Sequence, residues 1–88
     1  MYDFFVSEHL ERKLKKLSKK DRDIYNQVLK KIDVIIHTEK IDRFKNLRHD
    51  KKDIKRVHIG SFVLIFQYRK KENVIFFDDF DHHDTIYK

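Results

Sequence analysis

The chain begins with a period of two. Tyr2, Phe4 and Val6 stand between Asp3 and Phe5, which predicts a short first strand. The period then lengthens. Leu10, Leu14 and Leu17 fall on one helical stripe behind Ser7, a good N-cap, with Glu8 and Glu11 at the positive end. A helix over about Glu8–Leu17 follows. Ser18 to Asp21 resembles a capping box. After it Ile24, Tyr25, Val28, Leu29, Ile32, Ile35 and Ile36 form a broad helical stripe, so a second helix is expected over about Lys19–His37. Two amphipathic helices joined this closely predict an antiparallel hairpin.

Residues 38–53 are polar and sparsely apolar and read as a loop with a helical turn at most. Alternation returns at Ile54–Ile59: Ile54, Arg56 and His58 share one face, Lys55, Val57 and Ile59 the other. Gly60-Ser61 suits a two-residue hairpin turn with glycine first. Ser61–Tyr68 is almost wholly apolar, the mark of a central strand. A turn over Arg69–Asn73 and a strand over Val74–Phe80 follow, then a polar tail. The expected fold is α+β: a small antiparallel sheet with an N-terminal strand and a two-helix hairpin packed on one face, in the order β-α-α-β-β-β.

Composition narrows this picture. The 88 residues hold one Gly and no Cys, Pro or Trp. One domain over residues 1–88 is expected, with a thin core. Disulfides, thiolate metal sites and a nucleophilic cysteine are excluded, and a single glycine excludes a glycine-rich phosphate loop. The N-terminus does not read as a signal peptide and no apolar run spans a bilayer; a cytoplasmic, membrane-free protein is expected. The net charge of +6 is uneven. Residues 1–71 carry 20 basic and 10 acidic residues, whereas residues 72–88 carry one and five. The densest basic block is Lys40–Arg56, which attracts phosphates or is simply solvated. The four aspartates Asp78, Asp79, Asp81 and Asp84 read as solvated charges that keep the last strand from edge pairing.

Three stretches with this element order resemble the RelE/ParE superfamily of small toxins, and RelE-type toxins, archaeal ones included, most of all. They are the helical hairpin with Leu14, Leu17, Ile24 and Leu29, the run Lys55–Val63, and the ending His82–Lys88. Lys55–Val63 is similar to the family's R-V-R-x-G-D-Y-R run, and His82–Lys88 to its H-R-x-x-V-Y-R/K ending. The resemblance covers the whole chain. It implies a metal-independent, cofactor-free endoribonuclease that cleaves mRNA in the ribosomal A site. It also implies a RelB-like antitoxin partner, in a heterotetramer or similar complex. Residue by residue, Arg56 holds the family's first basic position of the strand run, Gly60 the turn glycine, Phe62 the aromatic position, His82 the frequent histidine and Tyr87 the terminal tyrosine. Two positions depart: Val63 stands where many members have a phosphate-binding arginine, and His83 where the ending usually has arginine.

RNA cleavage through the 2′-OH needs a base, a cation for the phosphorane and an acid for the leaving oxygen. Guanidinium stays protonated, so Arg56 is expected to clamp the phosphate rather than act as base. Histidine titrates near neutrality, so His58, His82 or His83 is expected to move the proton. Tyr87 is expected to stack on a base, and Lys45, Arg48, Lys51, Lys52 and Lys55 to grip ribosomal RNA. Competing expectations are a ParE-like gyrase inhibitor on the same fold and a non-enzymatic RNA-binding module.

Overall fold

A computed structural model describes residues 1–48 and 51–87, and of Lys51 and Lys52 the backbone alone. The order is β1 (Asp3–Val6), α1 (Glu8–Lys20), α2 (Arg22–His37), a 3₁₀ turn (Ile41–Arg43), β2 (Asn46–Arg48), β3 (Lys51–Ile59), β4 (Phe62–Arg69), β5 (Val74–His82) and α3 (His83–Ile86). One sheet runs β1-β5-β4-β3-β2. The α+β class and the helical hairpin on one sheet face are as expected, with three differences. The sheet is mixed, because β1 pairs parallel to β5. The polar segment after α2 contributes a fifth strand, β2. The tail folds into one helical turn.

The hairpin is closed by one residue. Asp21 donates its N–H to the Leu17 carbonyl at 2.8 Å, and its Oδ1 accepts the Ile24 N–H at 3.2 Å. It thus ends α1 and caps α2, so α1 runs three residues beyond Leu17. Ser18, expected to be the cap, donates back to the Lys15 carbonyl instead. Leu10 and Leu14 from α1 and Val28, Ile32, Ile35 and Ile36 from α2 bury against Ile59, Leu64, Phe66, Ile75, Phe77 and Phe80 of the sheet. Leu29, expected on this stripe, is 41% exposed.

Two local devices shape the sheet. Gly60 adopts φ 61° in the two-residue β3–β4 turn; a Cβ there would meet nothing within 4 Å, so backbone conformation alone calls for glycine. The β4–β5 turn, which lacks glycine, gives its left-handed position to Asn73 (φ 56°), whose Oδ1 accepts the Tyr68 hydroxyl. A bulge leaves Asp78 unpaired, since Ile65 faces Asp79 and Phe66 faces Phe77. Ser7 takes up the freed carbonyl: its hydroxyl donates to Asp78 O at 2.7 Å while accepting the Leu10 N–H at 3.0 Å.

The aspartates after the bulge are not merely solvated. Lys13 of α1 donates to Asp79 Oδ1 at 2.7 Å, to Phe80 O at 3.1 Å and to Asp81 Oδ2 at 2.8 Å. Burial pulls the Lys13 pKa down, but the two carboxylates outweigh it and the net shift is upward. The bond from Lys13 in turn holds Asp81 below the usual carboxylate range. A depressed carboxylate adds stability that is present above its unfolded pKa of about 3.9 and is lost as pH falls through the folded value. Lys13→Met should therefore lower stability at pH 7 by about 1–2 kcal/mol, partial exposure being allowed for. It should cost less at pH 3, which lies below the unfolded pKa of about 3.9, on the way down to the folded value of Asp81. Urea melts at the two pH values check this; an equal loss at both would contradict it.

Candidate functional site

Residues directly opposite one another on neighbouring strands share a face. His58 lies across from Val63, and Arg56 from Ile65. Val63 and Ile65 are buried but stand outside the core on the helix side. Arg56 and His58 thus belong to the face away from the helical hairpin, and the chain after β5 returns to it. His83 donates its N–H to the Ser61 carbonyl at 2.9 Å, which anchors α3 against the β3–β4 turn.

Four sequence-expected residues meet there. The Arg56 guanidinium donates through Nη1 to His58 Nε2 at 3.0 Å. The His58 and His83 rings stack at 5.6 Å, and the His83 and Tyr87 rings lie 4.6 Å apart. Arg56 Cζ sits 5.7 Å from the Tyr87 ring centroid, close enough for a cation–π contact. A guanidinium only donates, so His58 Nε2 must accept, and the ring is then neutral with its proton on Nδ1. Electrostatics agree: lost hydration, then neighbouring Arg56, His83 and Lys45, hold the His58 pKa below its ordinary value.

Arg56 is fixed from behind. Its N–H donates to Lys45 O at 2.9 Å and its Nε to Asn46 O at 3.3 Å. Two of the five side-chain donors are thereby spent, on Asn46 and His58, and three remain for a ligand. Arg56 also lines a groove of about 670 Å³ with Arg43, Phe44, Lys45 and Arg48. Lys45 and Arg48, expected to bind RNA, are exposed along it. The side chains of Lys51 and Lys52, which carried the same expectation, lie outside the described residues.

Two expected residues stand elsewhere. Lys55 is 5% exposed and faces the core side beside Phe66, its cross-strand partner; it lines the groove but is almost wholly buried. His82 points away from the cluster: it lies edge-on to Phe62 at 5.6 Å, and its Nδ1 accepts the Asp84 N–H at 3.3 Å, capping α3. Asn46 was missed, because a lone polar residue in a polar segment carries no periodic signal. Val63, at the departure from the family pattern, is wholly buried directly across from His58. The cation next to His58 comes from Arg56 instead. Among the described residues no group of three or more His, Cys, Asp or Glu could hold a metal ion. None of the helices among the described residues is long and apolar enough to cross a membrane.

The same fold occurs in E. coli RelE toxin, solved in isolation: TM-score 0.76, 17% identity, 93% of this chain and 84% of that one covered. A chain of the intact E. coli RelBE toxin–antitoxin complex matches with TM-score 0.75 and 18% identity, over 93% and 96% of the two chains. No family model matches the sequence. Both likenesses are of fold. A curated protein of Methanocaldococcus jannaschii that carries the name toxin RelE4 is 45% identical over 89 residues, covering 100% of this chain and 93% of its own length. The chain belongs to the RelE toxin family.

Proposed function

We propose that this protein is a ribosome-dependent endoribonuclease that cuts mRNA in the A site by attack of a ribose 2′-OH on the adjacent phosphate. One observation carries the reading: Arg56, His58, His83 and Tyr87 gather on the open sheet face at the end of a basic groove. The free donors of Arg56 take the non-bridging oxygens of the scissile phosphate, bidentately, and stabilise the charge that builds on the phosphorane. As Arg56 turns to the phosphate, Nε2 of neutral His58 is released and accepts the 2′-OH proton. The 2′-oxygen–phosphorus bond forms and the bond from phosphorus to the 5′-oxygen breaks. His83, protonated, gives its proton to that leaving oxygen. The products are a 2′,3′-cyclic phosphate and a 5′-hydroxyl, and every proton and charge is handled by protein side chains. Tyr87, 37% exposed, offers its ring to a base beside the cut, a contact worth about 1–3 kcal/mol. Lys45 and Arg48 draw the RNA backbone along the groove, so binding weakens with salt. Lys51 and Lys52 belong to the same basic stretch.

A RelB-like antitoxin is the proposed partner, in a heterotetramer or similar complex, since the fold recurs in a toxin solved together with its antitoxin. The ribosome places the activity in the cytoplasm. The buried Val63 in place of an arginine is the one feature that favours a ParE-like gyrase inhibitor instead. Induced expression separates the two. Cleavage mapped within translated mRNA, with supercoiling unaffected, supports the ribonuclease; intact mRNA with blocked gyrase overturns it.

The His58 shift sets a pH dependence. The base must be neutral, and its lowered pKa keeps it so down to below about pH 6.5. The acid limb of the rate profile should therefore lie below that value. His58→Gln should cut the rate by about 10²–10⁴-fold and abolish the limb. A single-turnover pH profile checks both; an unchanged limb in the variant would remove His58 from the role of base.

A further inference from the structure

Lys55 is the one buried charged residue among the described residues, and the chemistry above does not use it. It stands on the inner face of β3 with Val57 and Ile59, across from Phe66 of β4. Its ammonium is directed at a single segment. Nζ donates to Phe44 O at 3.3 Å and to Asn46 Oδ1 at 3.1 Å, with Asp42 Oδ1 at 3.9 Å. Asn46 is also its cross-strand partner. That segment holds the neighbouring residue in turn: Arg56 is bonded to the carbonyls of Lys45 and Asn46. Lys55 and Arg56 point to opposite faces of β3 and hold one three-residue segment between them, sharing Asn46.

β2 needs such a clasp. It is three residues long, pairs with β3 through Asn46–Lys55 and Arg48–Lys51, and has a register irregularity between them. A ladder this short holds poorly by itself. A buried ammonium is also a costly choice where methionine would fill the space, and it is kept where its directed bonds fix a geometry.

We propose that Lys55 is a positioning residue: its ammonium fixes residues 44–46, and through the Asn46 carbonyl it sets the guanidinium of Arg56 against His58 and the scissile phosphate. The functional half of this statement rests on the ribonuclease reading; the structural half does not. Lys55 and Asn46 also line the groove; loss of the clasp lowers the maximal rate as Arg56 drifts, whereas loss of an RNA contact raises half-saturation.

The test compares Lys55→Met, Lys55→Arg and Asn46→Ala, the last cutting the link while leaving the core intact. Three quantities are read on each purified chain: thermal midpoint, single-turnover cleavage on ribosomes across toxin concentrations, and solvent exchange of the Arg56 Nε proton by NMR. The methionine variant is expected to keep its fold, to lose about 10- to 100-fold in maximal rate with half-saturation unchanged, and to exchange the Arg56 proton faster. The arginine variant restores most of the rate. Asn46→Ala repeats the loss in milder form. Wild-type rate and exchange in both the methionine and alanine variants would overturn the proposal. So would a rate loss that follows the thermal midpoint and is not rescued by arginine. If Lys55→Met does not fold, Asn46→Ala and Lys55→Arg decide alone by the same readouts. If the wild type cleaves no mRNA, the ribonuclease reading fails, and proton exchange still decides whether Lys55 positions Arg56.

Discussion

Replacing Arg56 with alanine lowers cleavage of ribosome-bound mRNA by about 10²–10³-fold, the loss that follows removal of a preorganised donor to developing charge. The guanidinium is held through Nε by the Asn46 carbonyl, so it stays placed when His58 is released to the substrate. Its remaining donors form a planar fork that matches two phosphate oxygens. Lysine brings the charge without the fork, so Arg56→Lys recovers only part of the rate. Stability moves little, because the side chain is only half-buried and lies outside the helix-side core. Single-turnover cleavage and a thermal melt on the same preparations check both halves. Wild-type cleavage by the alanine variant would remove Arg56 from the chemistry.

Replacing Phe66 with alanine has the largest expected effect on stability. The ring is fully buried at the centre of the sheet, where Phe44 meets it edge-on at 5.7 Å and Phe77 lies at 5.8 Å. Removal loses the transfer energy of the ring and leaves a cavity that β4, paired on both sides, cannot collapse to fill. Such changes cost about 3–5 kcal/mol. A domain of this size holds only about 4–13 kcal/mol, so the thermal midpoint should fall by roughly 12–40 °C. Because Phe44 leads into the segment that carries Arg56, activity should fall with the fold rather than before it. Circular dichroism during heating measures the shift; a fall of only a few degrees would mean that the core closes over the gap.

The helices were legible because Leu10, Leu14, Val28 and Ile32 repeat at a period that only one local structure satisfies. β4 was legible for a different reason: an unbroken apolar run of strand length marks a strand covered on both faces. The partner of β1 was not: alternation marks a strand but says nothing of direction, and β1 pairs with the last strand in the chain. β2 was hidden because three residues, Asn46-Leu47-Arg48, are too few to carry a pattern, and it is held by the long-range bonds of Lys55 and Arg56. Lys55 itself was legible by period, since it alternates with Val57 and Ile59, but its charge suggested a surface contact and outweighed the period. The family ending pointed to His83 and Tyr87, which α3 carries to His58. It pointed equally to His82, which β5 aims to the other face. One position decides the face on a strand, and only the register of β5 against β4 shows which of the two adjacent histidines joins the cluster.

The most direct measurement places a single 2′-deoxynucleotide immediately 5′ of the mapped cut in a short mRNA, programmed into ribosomes with purified toxin. The account predicts cleavage of the all-ribose message to a 2′,3′-cyclic phosphate and a 5′-hydroxyl, and no cut at the deoxy position. Cleavage at the deoxy position, or a 5′-phosphate on the downstream fragment, would contradict it.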